Sequence, residues 1–207
     1  DNCVECGLCE RVCPQNNTPT ANDSIAWNQG WARDEKTRIG ASSGGYVSAI
    51  SKAFVKSGGC VCSCVFENSE FGFKFAKTIE ELKGFAGSKY VKSNPKGVYG
   101  KLKQMLREGE RVLFVGLPCQ VAGVKNFVGS KLQDGLYTVD LICHGTPSPL
   151  VLDKFFNEHG VSLGDIKAIS FRYKVHFAVY KDNQSMVPEG NVDSYTIAFH
   201  HSYSKMN

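Results

Sequence analysis

Two apolar runs, each leading into a cysteine, constrain the fold of this chain most. Val112-Leu113-Phe114-Val115 runs into Gly116-Leu117-Pro118-Cys119-Gln120. Leu136-Tyr137-Thr138-Val139 runs into Asp140-Leu141-Ile142-Cys143-His144-Gly145. Between them a helical pattern starts at Pro118 and carries Val121, Val124 and Val128 on one face. This order predicts a right-handed βαβ unit with parallel strands. Both strands then end on one edge of the sheet. Neighbouring strands lie about 5 Å apart, so Cys119 and Cys143 are expected close enough to share a metal centre. The carboxyl edge of such a sheet is also where α/β folds bind ligands.

The flanking segments fit the same architecture. Val47, Ile50, Ala53 and Phe54 fall at helical spacing after Ser42-Ser43-Gly44-Gly45. Ser is a good cap, and paired glycines allow a phosphate to approach the free amides of a helix. An ordinary cap is the equally open reading. Cys60, Cys62 and Cys64 alternate along a strand and share one face, where core packing is the favoured reading over metal binding. Phe71, Phe73 and Phe75 mark its partner strand. Thr78 to Glu81 is a capping box before Leu82 and Phe85. Gly87-Ser88-Lys89-Tyr90-Val91 follows, either a surface turn or a loop meeting a phosphate and a flat ring. Val98, Leu102, Met105 and Leu106 define the next helix. Beyond the βαβ unit, Ser148-Pro149 starts a helix with Val151, Leu152, Phe155 and Phe156. Strands are expected at Ile25–Trp27, Ile166–Phe171, His176–Tyr180 and Tyr195–Phe199, with a loop over 182–193. Of the five histidines, His144 alone falls in a candidate site.

The amino-terminal stretch reads Cys3-x-x-Cys6-Gly7-x-Cys9-x-x-x-Cys13-Pro14. This is the bacterial ferredoxin spacing for a 4Fe–4S cluster, with thiolates expected to converge from one loop. A zinc site usually uses two separated Cys-x-x-Cys pairs instead. Cys13 either completes the same cluster or serves a twin upstream. Nine cysteines in 207 residues, four in one cassette, point to a reducing cytoplasm and metal chemistry rather than disulfides. No apolar run approaches the ~20 residues of a membrane span. The net charge of +4 is scattered, with no basic patch or reader motif for nucleic acid. The start at Asp1, just before the cassette, reads as trimmed.

The expected fold is α/β: a mixed, partly parallel sheet flanked by helices, with a short ferredoxin-like cluster-binding arm over 1–23 and an α/β domain over 24–207. The chain resembles the family of coenzyme F-420 hydrogenase/dehydrogenase beta subunits, which are flavin and iron–sulfur oxidoreductases. The resemblance rests on the cassette at 3–14, on 42–45, 87–91, 116–123 and 140–149, and on Ile169-Ser170-Phe171-Arg172, all in family order. It implies an FAD-binding domain whose pocket is lined by Ser43, Gly44, Gly45, Ser88, Lys89 and Tyr90, with Pro118 and Gln120 beside the cofactor. It implies Cys119 and Cys143 as ligands of the cluster nearest the flavin, beside the cassette ligands Cys3, Cys6, Cys9 and Cys13. The family places a Cys-x-x-Cys pair beyond the end of this chain, which would supply two further thiolates. Leu117 stands where the family often has Thr. The implied function is electron transfer among 4Fe–4S clusters, FAD and a hydride-accepting substrate such as a deazaflavin coenzyme, together with a redox partner protein or ferredoxin. Two alternatives remain: an electron-transfer subunit with no substrate of its own, and a zinc-bound interaction module.

Overall fold

The computed structural model describes residues 3–20, 23–143, 145–173, 176–188, 190–201 and 205–206. His144 lies outside them. Helices α1 (Leu8–Val12) and α2 (Glu35–Ile39) precede α3 (Tyr46–Lys56). Strands β1 (Cys60–Glu67) and β2 (Glu70–Ala76) form a hairpin, then α4 (Val98–Arg107), β3 (Val112–Gly116), α5 (Pro118–Val128) and β4 (Leu136–Asp140) follow. The chain continues through β5 (Thr146–Pro147), α6 (Pro149–Glu158), β6 (Ile169–Tyr173), β7 (His176–Lys181), β8 (Gln184–Ser185), α7 (Ser194–His201) and β9 (Lys205–Met206).

The main sheet has the order β2-β1-β3-β4. β1, β3 and β4 are mutually parallel, and β2 returns antiparallel on the outer side of β1. The mixed, partly parallel sheet is therefore as expected. Its hairpin turns at Asn68 and Ser69, both at positive φ, as a two-residue turn matched to strand twist requires. A second sheet, β6-β7-β8, is antiparallel, and β5 pairs with β9.

Alternation along the strands splits the core into two layers. Cys60, Cys62, Val112 and Phe114 face α4 and α5, meeting Leu102, Met105, Val121 and Val124. Val61, Leu113 and Val115 face the opposite side, where α3 packs through Val47, Ile50, Phe54 and Val55. A third cluster joins α6, α7 and the small sheet through Phe155, Phe156, Phe171, Val179 and Tyr195. The core reading of Cys60 and Cys62 agrees with this placement, and burial pushes both thiols up in pKa. Native-state alkylation is accordingly expected at the exposed Cys3, Cys6, Cys9 and Cys119, with Cys60 and Cys62 reacting only on unfolding. Mass mapping of labelled peptides checks this, and equal native rates at Cys62 and Cys119 would contradict it.

Two expected strands are absent. Ile25 and Trp27 lie in a segment outside any strand and are almost fully exposed. Tyr195–Phe199 belongs to helix α7. There Asp193, 1% exposed, caps the helix: Oδ1 accepts from Thr196 N at 2.6 Å and Oδ2 from Val179 N at 2.7 Å. Tyr195 and Phe199, four apart, bury on one helical face, a spacing that also mimics strand alternation. The stretch expected as a loop over 182–193 contains β8, which turns back on β7 through Asp182 and Asn183.

Candidate functional site

Strands β3 and β4 run in register, with Gly116 opposite Asp140. Leu141 N then donates to Gly116 O at 2.9 Å, so the two chains leave the sheet still paired. Cys119 and Cys143 each lie three residues beyond that last pair, on the carboxyl edge. Cys119 is exposed at the second position of α5, and Cys143 is half-buried. Gly145 N donates to Cys143 Sγ at 3.3 Å. Gly116 has no room for a side chain: a Cβ would lie 2.7 Å from the Phe114 ring and 3.1 Å from Gln120 Oε1.

Pro118 opens α5 at its first position, where a missing N–H costs nothing. Gln120 uses both ends of its amide. Its Oε1 accepts from Leu117 N at 2.9 Å, and its Nε2 donates to Ser93 Oγ at 3.1 Å. Ser93 thus ties α5 to the segment after Tyr90. That segment is joined in turn to the turn before α3, because Ser88 N donates to Ser42 Oγ at 3.1 Å. Three stretches singled out in the sequence, 42–45, 87–91 and 116–123, are therefore tied to one another. Ser42 and Ser93 provide the lacing; Ser42 opens one of those stretches, while nothing in the sequence marks Ser93.

The turn before α3 is unusual in backbone. Ser43, Gly44 and Gly45 have φ of 50°, 69° and 71° in succession. At Gly45 a Cβ would lie 2.7 Å from the carbonyl oxygen of Thr37. Glycine is needed there for close packing on α2, and the same turn leaves the first amides of α3 without helical partners.

Lys89 does not present its ammonium to open solvent. Nζ donates to the carbonyls of Gly84, Phe85 and Ala86 at 3.2, 3.0 and 3.0 Å. Burial pulls its pKa down to about 8, against a smaller opposing effect of Cys64. The folded chain releases this proton near pH 8, the unfolded chain only near its ordinary value of 10.5. Unfolding therefore takes up a proton between these values, and stability rises with pH across that window. Denaturant titrations from pH 7.5 to 10.5 are expected to show this rise in the wild type and a flatter profile in Lys89→Met. Tyr90 is also engaged within the fold. Its ring stacks on Phe199 at 4.5 Å between centroids, and its carbonyl accepts from Tyr195 Oη at 2.6 Å.

In the arm, Cys3 and Cys6 precede a left-handed turn at Gly7, φ 65°, while Cys9 lies in α1 and Cys13 is its C-cap. Cys3, Cys6 and Cys9 are exposed, and none of the nine cysteines is in a disulfide. Among the described residues no three His, Cys, Asp or Glu side chains gather closely enough to hold a metal ion. The expected convergence of the four thiols is thus not seen among the described residues. The donor set itself fits an iron–sulfur cluster, being four uncommitted thiols on one short segment. Cys119 and Cys143 fit less well, since the described residues add no third donor to them. Surface clefts of about 330 and 440 Å³ lie elsewhere, lined by none of the candidate residues.

Residues 28–96 match the amino-terminal part of the coenzyme F420 hydrogenase/dehydrogenase beta subunit, and residues 109–202 match the C terminus of the same beta subunit. The F subunit of the F(420)H(2) dehydrogenase of Methanosarcina mazei is 27% identical over 188 residues, covering 88% of this chain and 53% of that protein. The chain thus spans about half the length of this curated relative. A solved structure titled as a xenon derivatization of the F420-reducing [NiFe] hydrogenase complex from Methanosarcina barkeri superposes with a TM-score of 0.56 at 22% identity. That match covers 75% of this chain and 56% of the other, and it supports the fold alone. Among the described residues no helix is long and apolar enough to cross a membrane. With both parts of one family matched in order across most of its length, the chain belongs to the family of coenzyme F420 hydrogenase/dehydrogenase beta subunits.

Proposed function

We propose that the chain is a flavin- and iron–sulfur-dependent oxidoreductase subunit, with residues 1–23 as the cluster arm and 24–207 as the FAD-binding part. The carrying observation is the in-register carboxyl edge of β3 and β4, where 42–45, 88–93 and 117–120 are laced together beside Cys119. Bound FAD would convert between a two-electron hydride and single electrons, and a 4Fe–4S cluster would relay single electrons.

The residues fit these tasks as follows. Cys3, Cys6, Cys9 and Cys13 hold a cluster as thiolates. Ser43, Gly44 and Gly45 present the free amides at the start of α3 to the anionic part of the dinucleotide. Ser88 and Tyr90 shape the wall of the pocket, and Lys89 holds that wall from behind through its three carbonyl contacts. Pro118 and Gln120 fix the first turn of α5, which carries Cys119. Cys119 and Cys143 supply two thiols of a second metal site, to be completed from elsewhere. The Gly145 amide lessens negative charge on the Cys143 sulfur.

A deazaflavin is the proposed hydride partner, because the names of the family and its relatives carry that coenzyme. Those names also describe subunits and complexes, which supports a partner protein. Nine unpaired cysteines suit a cytoplasmic setting. The exposed Ile25, Trp27 and Trp31 favour a second reading, an electron-transfer subunit that docks on a catalytic partner and has no substrate. Anaerobic protein supplied with FAD, iron and sulfide is to be mixed with reduced deazaflavin and a one-electron acceptor dye. Acceptor reduction coupled to deazaflavin oxidation supports the first reading. A flavin-loaded chain inert to every hydride donor supports the second.

A further inference from the structure

We infer that α5 is the spacer setting the arm's distance from the carboxyl edge, and that Asn126 is the positioning residue that docks the arm onto it. This rests on the oxidoreductase reading above. A five-residue helix such as α1 is marginal by itself, and its last carbonyls need outside partners. All of these carbonyls are taken. Cys9 O accepts from Cys13 N, and Glu10 O accepts from both Cys13 N and Asn16 Nδ2. Arg11 O accepts from Asn17 Nδ2 at 2.9 Å. The last, Val12 O, accepts from Asn126 Nδ2 on α5 at 3.2 Å.

The same amide nitrogen donates to Asn17 O at 2.6 Å. Both hydrogens of one primary amide are thereby used on carbonyls that bracket Cys13. Asn17 N and Asn16 N in turn donate to Cys13 O, closing a ring of bonds around this cysteine. Asn126 is half-buried, so these bonds are partly shielded from water. It lies seven residues after Cys119 on one uninterrupted helix, a rise of about 10 Å. One rigid element thus carries both the candidate ligand at the edge and the anchor of the cassette.

The test uses the full chain with Asn126→Asp, Asn126→Ala and Asn126→Gln. Asp keeps the size but turns an acceptor toward two carbonyls, Ala removes the group, and Gln keeps the donor. Hydrogen exchange at Cys13, Asn16 and Asn17 is expected to quicken about tenfold in Asp and Ala, with β3 amides unchanged and Gln intermediate. In chain loaded with iron, sulfide and FAD, iron content should hold while the cluster-to-flavin transfer rate falls about tenfold. Unchanged exchange in Asp and Ala overturns the docking role. Faster exchange with an unchanged transfer rate overturns the spacer role. A wild-type chain that takes up no iron under these conditions overturns the oxidoreductase reading itself, and the spacer role with it.

Discussion

Replacing Cys9 with serine is expected to abolish cluster assembly on the arm. Anaerobic reconstitution of the wild type should give a brown protein with broad visible absorbance. The variant should bind iron ~100-fold more weakly or worse, since loss of supporting contacts around a metal site already costs 10–100-fold. Cys9 is the donor within α1, and its carbonyl also receives Cys13 N, so its position is set by the backbone. Serine there preserves the helix and removes only the soft donor that iron–sulfur chemistry needs. Cys62→Ser is the matched control. It replaces a buried thiol by a hydroxyl in an apolar layer, so it should lower stability by about 1–3 kcal/mol while leaving iron uptake intact. Iron and acid-labile sulfide assays separate the two outcomes. If Cys9→Ser binds iron as the wild type does, the cassette is not the cluster site.

Phe114→Ala is expected to produce the largest loss of stability, about 3–5 kcal/mol by the usual cost of truncating a buried ring. Phe114 is fully buried at the centre of β3 and stacks on Phe73 at 5.4 Å with an interplanar angle of 9°. It packs in the layer formed by α4 and α5. Domains of this size are typically stable by only 5–15 kcal/mol, so the variant should show a much lower denaturation midpoint. The effect should reach the edge as well, because the ring defines the space in which Gly116 and Gln120 sit. A loss of unfolding free energy below ~1 kcal/mol in equilibrium urea unfolding would mean that this layer is not the core.

The strand edge was legible because parallel βαβ geometry leaves little freedom. Once β3 and β4 are neighbours, the positions of Cys119 and Cys143 follow from counting residues past Gly116 and Asp140. The hairpin of alternating cysteines and phenylalanines was equally plain, since its period is two on both strands. The Thr78–Glu81 box was also readable: Thr78 N donates to Glu81 Oε2 at 3.0 Å, and Glu81 N returns to Thr78 Oγ.

Other features were hidden for identifiable reasons. Tyr195, Ile197 and Phe199 alternate as a strand would, and only the cap at Asp193 reveals a helix. Ile25 and Trp27 have strand-like side chains but no neighbour to pair with. Lys89 in sequence fits either a surface turn or a loop meeting a phosphate, and nothing local shows that the carbonyls of Gly84, Phe85 and Ala86 come within its reach. Asn126 carries no sequence signal, because its partners are backbone carbonyls more than 100 positions away. Contacts of that kind depend on tertiary placement and leave no local pattern.

The central claim is that one chain carries both a cluster arm and a flavin site at the carboxyl edge of its sheet. The most direct measurement is the iron, sulfide and flavin content of chain reconstituted anaerobically with iron, sulfide and FAD. The account predicts at least one 4Fe–4S cluster and one flavin per chain, with the flavin released on denaturation. A colourless protein holding zinc at the cassette and retaining no flavin would contradict it.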